Sequence, residues 1–115
     1  MTEDEVRALI LSFPEVEEGA SWGMPSFKAA GKFFTRLRSE DASLVIGDVP
    51  PEEREMLIEA EPGTYHLTPH YEGYPIVLAR IAGLEPEVLR GFLTRSWKRK
   101  VPKKVLKAWE AAQAG

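Results

Sequence analysis

The stretch from Leu67 to Pro75 contains the side chains best suited to bind or react with a ligand. Its nine residues include a histidine, two tyrosines, a glycine and two prolines, and the apolar segment Ile76–Ile81 follows at once. Binding residues are often found on loops that a rigid scaffold holds in place. The stretch is therefore the first candidate site.

A second stretch, Ser21–Lys28, has the same mixture of glycine, proline and large side chains. We expect the two stretches to meet at one edge of a small sheet, so a cleft between them is a candidate small-molecule site. The side chains that would line it are Trp22, Met24, Phe27, Lys28, Thr68, His70, Tyr71 and Tyr74. The alternative for the aromatic and methionine side chains is the core, because such residues on strands usually pack inward.

His70 is the one candidate for acid–base chemistry. A histidine titrates near neutral pH, so this side chain, next to Tyr71 and Glu72, is a candidate general base. The sequence has no recognisable nucleophile motif, phosphate-binding glycine loop or carboxylate pair of diagnostic spacing. A hydrogen-bonded loop anchor is the commoner role for such a histidine. We therefore predict no catalytic residue.

The four-residue spacing of the two histidines indicates whether they could bind one metal ion together. His66 and His70 would converge on one ion if they lay on a helix, but Pro69 excludes a helix there. On an extended strand, four steps of ~3.3 Å separate them by ~13 Å, too far for shared ligation. Since the chain also has no cysteine, we predict neither a metal site nor a cofactor.

Basic side chains are concentrated near the C-terminus. The segment Val88–Trp109 has eight lysines and arginines and no acidic residue, whereas the rest of the chain has 7 basic and 18 acidic residues, a balance of −11. Such a segment either matches the acidic remainder internally or binds an anion such as DNA phosphate. The predicted DNA contacts are Arg90, Arg95, Lys98, Arg99, Lys103, Lys104 and Lys107.

Length and composition predict a single domain over residues 1–115. With 43% hydrophobic and 29% charged residues the chain has a globular composition, and without cysteine it has no disulfide or thiol chemistry. The N-terminus is acidic and no apolar run is long enough for a signal peptide or a membrane span. We expect a soluble, cytoplasmic monomer.

Four helices are predicted around these candidate sites. Thr2 and Glu5 have the spacing of a capping box, and the first helix ends by Pro14. The other three begin with prolines, at 50–51, 86 and 102. The predicted inward residues of the four helices are Val6, Leu9, Ile10 and Phe13; Met56, Leu57 and Ala60; Val88, Leu89, Phe92 and Leu93, with Trp97 on the border; and Val105, Leu106, Trp109 and Ala112.

Five short strands complete the prediction. They cover 21–28, 32–38, 43–47, 65–67 and 76–81, with Glu15–Gly19 as a turn and Pro25 making the first strand an edge or a broken strand. Ala30 and Gly31 form a tight hairpin turn. On the second strand, alternation places Phe33, Thr35 and Leu37 on one face and Phe34, Arg36 and Arg38 on the other. The order α-β-β-β-α-β-β-α-α predicts an α+β fold of two layers, an antiparallel sheet of about five strands with helices packed on it.

The two stretches also resemble motifs of a known family. Trp22–Lys28 is similar to the "G-x-P-x-F" element, and Leu67–Pro75 to the "T-P-H-x-x-G" element, of the MmcQ/YjbR-like family. Pro51–Arg54 and the segment 96–104, with its tryptophan and basic end, fall where that family has its middle helix and its C-terminal part. The resemblance implies a compact α+β fold related to secretion-chaperone-like and CyaY-like folds, and a double-wing DNA-binding role, with no catalytic residues to transfer.

The sequence is therefore compatible with three functions. The first is a small binding protein for DNA, weak and without sequence specificity, that uses the basic C-terminal helices. The second is a small-molecule binder or enzyme that uses the cleft between the two stretches. The third is a protein–protein adaptor that uses an exposed sheet face. Phosphate binding predicts a steep salt dependence, and an adaptor predicts an exposed apolar patch of several hundred Å².

Overall fold

A computed structural model describes residues 1–21 and 23–114. The part described has four helices and six strands. The helices are α1 (Glu3–Leu11), α2 (Pro51–Ala60), α3 (Pro86–Lys98) and α4 (Lys103–Ala114). The strands are β1 (Val16–Ser21), β2 (Met24–Ala29), β3 (Lys32–Arg38), β4 (Ser43–Gly47), β5 (Tyr65–His66) and β6 (Ile76–Arg80), and single 3₁₀ turns cover Pro69–Tyr71 and Ile81–Gly83.

The six strands form one antiparallel sheet in the order β1-β2-β3-β4-β6-β5. Helices and the N-terminal segment cover one face, where a single core joins the sheet to α1 and α3. The buried side chains at its centre are Val6, Ile10, Phe27, Leu44, Ile46, Val77, Leu89, Leu93 and Trp97. The predicted α+β architecture is therefore confirmed, with one strand more than predicted.

The opposite face of the sheet, here called the loop face, is covered differently. Cross-strand pairing puts Ser26, Arg36, Val45, Leu78 and His66 in one row on this face. A second, smaller cluster of Val45, Leu78 and the tyrosine at 71 packs there. The loop between β5 and β6 therefore lies over this face, and the face is the place where a site can form beside the main core.

The predicted turn over Glu15–Gly19 is wrong, because this segment belongs mostly to β1. Only Glu15 has a turn conformation, with φ 64°, and Val16 already pairs with Ala29. The segment is polar and has little strand propensity of its own. Its conformation comes from the backbone hydrogen bonds that β2 offers, since strand formation depends on context more than on residue type.

The prediction that Pro25 marks an edge or broken strand is wrong for the same reason. Strand β2 lies between β1 and β3, and Pro25 stands opposite Ala20 of β1. The pairing of β2 with β3 begins only at Ser26, which is opposite Arg36. Proline is tolerated at position 25 because β2 is not yet paired with β3 there, so no N–H donor is required on that side of the strand.

A β-bulge changes the predicted faces of β3. The register with β2 shifts between Phe27 and Lys28, which leaves Phe34 as an extra residue on β3. Consequently Phe34 is buried in the core, whereas Phe33 is 44% exposed on the loop face. Simple alternation placed Phe33 on the same face as Thr35 and Leu37, and Phe34 on the opposite face. The bulge adds one residue to β3, so residues before it point to the face opposite to the one that alternation predicts.

The local signals for helix ends are confirmed, and four inward assignments are wrong. The Thr2 hydroxyl accepts from Glu5 N at 3.1 Å and the Glu5 carboxylate accepts from Thr2 N at 2.8 Å, so the capping box is present. Val88, predicted inward, lies in the first turn of α3 and is 45% exposed. Trp97, predicted on the border, is fully buried because it continues the row of Leu89 and Leu93 at intervals of four residues. Met56 and Ala60 on α2 and Ala112 on α4, also predicted inward, are exposed as well.

Candidate functional site

The loop over the sheet begins with a single 3₁₀ turn. Thr68 has an extended backbone, and Pro69 is the first residue of the turn that ends at Tyr71. As predicted, no helix spans His66 and His70. Pro69 instead begins this short turn, since proline is favourable in a first turn, where no N–H donor is required. The turn directs Tyr71 into the sheet and leaves His70 exposed.

Arg54 of α2 fixes the other end of this loop. Its side chain is buried, and its Nη1 donates to the backbone carbonyls of Tyr74 at 2.9 Å and Ile76 at 3.1 Å. Val49 N also donates to the Pro75 carbonyl at 3.0 Å. Sequence reasoning did not identify Arg54 as a positioning residue, because an arginine among glutamates on a helix is the pattern of a solvated face.

Tyr71 in turn holds Arg36 of β3. Arg36 Nη2 donates to the Tyr71 hydroxyl, and its guanidinium carbon lies 6.0 Å from the centroid of the tyrosine ring. Arg36 Nε and the Thr68 hydroxyl oxygen are buried, and neither has a hydrogen-bond partner within residues 1–21 and 23–114. Among the described residues Arg36 has no ion pair with a carboxylate. It is thus a partly buried cation whose charge is uncompensated by a direct partner.

These side chains line an open depression of about 350 Å³, here called the loop groove. Its lining residues come from β2, β3, the turn after β3 and the loop: Met24, Arg36, Arg38, Glu40, Thr68, His70 and Tyr71. Arg38 is neutralised by Glu40 at 3.2 Å and Asp41 at 3.6 Å. Arg36 is therefore the main source of positive potential in the groove.

A neighbouring depression of about 280 Å³, here called the aromatic groove, is lined by Phe33, Arg36, His70, Tyr71, Tyr74 and Ile76. It shares three of these residues with the loop groove. Its outer walls are Phe33 and Tyr74, which are 44% and 57% exposed. The loop face thus offers a cationic depression next to an aromatic one.

Only some of the residues predicted to line the cleft lie together in the structure. Met24 and Thr68 line the same groove, so the two stretches do contribute to one depression, and His70, Tyr71 and Tyr74 also line the grooves. Phe27 is a core residue with 1% exposure, which is the alternative considered for the aromatic residues. Lys28 lines a separate hollow with Glu17 and Ser26. Trp22 lies outside the described residues.

His66 belongs to a different cluster from His70. Its Nε2 is 2.8 Å from the Ser43 hydroxyl and 3.6 Å from an Asp41 carboxylate oxygen. Burial and the positive charge of Arg80 lower the pKa of His66 below its usual value, although Asp41 opposes the shift. The ring of His70 stands edge-on to Tyr71 with centroids 4.7 Å apart. Across residues 1–21 and 23–114 no group of three histidines or carboxylates is arranged to hold a metal ion.

The basic C-terminal segment is partly matched internally. Arg95 pairs with Glu53 at 2.7 Å, and Asp48 accepts from Lys100 at 2.9 Å and pairs with Arg99 at 3.1 Å. For the described residues, the structure gives no ion pair to the other predicted contacts, which are Arg90, Lys98, Lys103, Lys104 and Lys107. Internal charge matching therefore accounts for Arg95, Arg99 and Lys100, and leaves the other five without an acidic partner in the described part of the chain.

Comparisons with known proteins cover most of the chain. None of the described helices is long and apolar enough to cross a membrane. An uncharacterized protein of Mycobacterium bovis is 36% identical over 94 residues, which is 79% of this chain and 73% of the relative, and two uncharacterized proteins of Mycobacterium tuberculosis match to the same extent. No solved structure gives a significant match. The sequence model of the YjbR family matches residues 11–99, a span that contains both motif stretches and ends before α4, and this chain belongs to the YjbR family.

Proposed function

We propose that this YjbR protein binds a small anionic ligand in the loop groove, with Arg36 as the main contact. The observation that supports the proposal is the state of this side chain. It is held in place by Tyr71, partly buried, and without a carboxylate partner in the described part of the chain. A cation in that condition attracts an anion more strongly than a solvated surface cation does, because less water screens the interaction.

The chemistry of the groove favours a carboxylate or phosphate. A planar guanidinium can donate two parallel hydrogen bonds to either group, and such charge-assisted bonds contribute about 1.5–3 kcal/mol each. Thr68 also lines the groove, but its hydroxyl oxygen is buried, so the Arg36 guanidinium is the main donor to such a group. Glu40 at the rim lowers the positive potential but is itself paired with Arg38, so the anion meets a net cationic surface.

The test is a thermal-shift and calorimetric screen of phosphate, sulfate, acetate, benzoate and phenyl phosphate. We expect at least one of these anions to raise the melting temperature, because a ligand that binds only the folded state stabilises it by mass action. Arg36→Met should reduce its affinity at least tenfold, since about 1.4 kcal/mol of lost interaction has that effect. Lys28→Met removes an equal charge from the same sheet face outside both grooves and is the matched control.

Two results would contradict this proposal. One is that none of the five anions stabilises the wild-type protein. The other is that Lys28→Met weakens binding as much as Arg36→Met, because the attraction would then be a diffuse effect of net charge. Circular dichroism of both variants checks that each is folded.

A second candidate, DNA binding by the C-terminal helices, is favoured by the exposed cations of α3 and α4 that have no acidic partner in the described chain: Arg90, Lys98, Lys103, Lys104 and Lys107. Lys98 also lies over the ring of Trp109, with its Nζ 5.6 Å from the ring centroid. Three of the five cations are on α4, beyond the residues that the family model matches.

Fluorescence anisotropy with a labelled DNA duplex tests this candidate. If Lys98, Lys103 and Lys107 contact phosphates, log K should fall with log salt with a slope of roughly −0.9 per contact, and replacing all three by glutamate should abolish binding. Replacing Lys28 and Lys32 by glutamate is the control, because both are exposed lysines far along the chain from these helices. Absence of any anisotropy change at low salt would remove DNA from consideration.

A further inference from the structure

We infer that the ligand has two parts, an anionic group bound in the loop groove and an aromatic ring bound in the aromatic groove. This inference rests on the proposed function, since the anionic part is held by Arg36. It adds the class of the ligand, which would be an aromatic phosphate or carboxylate rather than a simple inorganic ion.

The continuity of the two grooves is the first argument. Arg36, His70 and Tyr71 line both of them. Tyr71 is buried between the loop and the sheet, so its ring and hydroxyl form the floor that the two depressions share. A ligand anchored at the Arg36 guanidinium is therefore adjacent to the aromatic groove.

The exposure of Phe33 is the second argument. The Phe33 side chain is on the loop face because the bulge at Phe34 turns Phe34 into the core and Phe33 to the opposite face. Bulges that redirect a side chain are frequent beside functional sites. Phe33 is 44% exposed, so a ring that binds against it would bury apolar surface.

The walls of the aromatic groove specify a flat apolar group. Phe33 and Tyr74 are both exposed, and Ile76 between them is half-buried. Aromatic side chains prefer edge-to-face or offset contacts with another ring, and the Arg36 guanidinium can stack on that ring as well. Arg54 holds the carbonyls of Tyr74 and Ile76, so this wall is fixed to α2 before the ligand arrives.

Size limits the ligand to a small molecule. The two depressions measure about 350 and 280 Å³, and each is near the lower end of the ~300–1,000 Å³ typical of small-molecule sites. One ring in one depression and one anionic group in the other would use the space available.

The experiment compares phenyl phosphate, inorganic phosphate and phenol by calorimetry on the full chain. We expect phenyl phosphate to bind at least about tenfold more tightly than inorganic phosphate, because the ring adds buried apolar area. Phe33→Ser combined with Tyr74→Ser should bring phenyl phosphate close to the affinity of inorganic phosphate and leave the latter unchanged. Met56→Ser is the control, because it removes an exposed apolar side chain on α2 that lines neither groove.

The outcomes separate this inference from the proposed function. If inorganic phosphate and phenyl phosphate bind equally and both need Arg36, the aromatic part is wrong and the anion site stands. If phenyl phosphate binds with no need for Arg36, the proposed function is wrong. If phenyl phosphate does not bind to the wild-type protein, the two-part ligand is wrong. Should the double variant unfold, the single Tyr74→Ser variant provides the same comparison, since this side chain is the more exposed of the two.

Discussion

Replacing Trp97 by alanine is expected to lower the free energy of unfolding by about 3–5 kcal/mol, which is the range for deleting a fully buried large side chain. The indole has 0% exposure. It packs on Phe13 with ring centroids 5.7 Å apart and on Trp109 at 5.1 Å, and its Nε1 donates to the Pro14 carbonyl at 2.8 Å. One side chain therefore joins α3 to the end of α1 and to α4.

The effect is large because domains of this size have only about 5–15 kcal/mol of stability. Urea denaturation followed by far-UV circular dichroism measures it, and the variant should be partly unfolded without denaturant if the wild type is near the lower limit. Trp109→Ala is the matched control. Trp109 is the same residue type in contact with Trp97 but is only partly buried, so we expect a clearly smaller loss. A loss below ~1 kcal/mol for Trp97→Ala would mean that the centre of the core lies elsewhere.

Helix ends were predictable because short-range signals determine them. The Thr2–Glu5 capping box lies within one turn of α1, and Pro51 and Pro86 begin α2 and α3 as expected. In each case the residues that make the signal are also the residues that make the hydrogen bond or fix the backbone angle. No distant part of the chain has to be known.

The strands were predictable where apolar residues or flanking turn residues mark them, and the polar β1 was missed. Segments such as Ser43–Gly47 and Ile76–Arg80 are central and buried, so their composition indicates them. β1 is polar and exists through pairing with β2, and the bulge in β3 is set by the fit of Phe34 into the core. Both features depend on partners that sequence order does not reveal.

The loop of the candidate site could be predicted from the sequence, but its cation could not. Glycine, proline and aromatic residues indicated the loop that contains His70 and Tyr71, because those residue types favour turns and binding. Arg36 was placed on the correct face of its strand, yet a strand arginine has the same pattern whether it faces water or lies beneath a loop. What distinguishes it is the Tyr71 hydroxyl, a contact across 35 positions of the chain. Two motifs at strand ends predict a site, but not which cation it contains.

Asp48 shows the same limit for the basic segment. Nothing in the run from Val88 to Trp109 indicates that one aspartate before α2 would accept from Ser96 and Lys100 and pair with Arg99. Asp48 also has a left-handed backbone, with φ 60°, which aspartate and asparagine tolerate better than most residues. The turn after β4 thus brings one carboxylate against the C-terminal end of α3, where it balances positive charge.

Replacing Asp48 by alanine is therefore expected to cost about 2–4 kcal/mol, from the lost charge-assisted hydrogen bonds and from the strain of alanine in a left-handed conformation. Asp48→Asn keeps the backbone preference and removes only the charge, so its loss should be smaller. Urea denaturation at pH 7 measures both variants. An equal loss in the two would assign the whole effect to the charge and none to the backbone.

The pH dependence provides the stricter test of this contact. Burial opposes ionisation of Asp48, but hydrogen bonds from Lys100 and Ser96 and the charges of Lys100 and Arg99 outweigh it, so its pKa lies below the usual value. A carboxyl whose pKa is depressed by folding stabilises the protein fully above its unfolded-state pKa of about 4, and this contribution is lost as the pH falls through the lower folded-state value. The difference in free energy of unfolding between wild type and Asp48→Asn should thus be constant from pH 5 to 8 and shrink below about pH 4. A difference that stays constant into the acid range would show that the charge of Asp48 does not stabilise the end of α3.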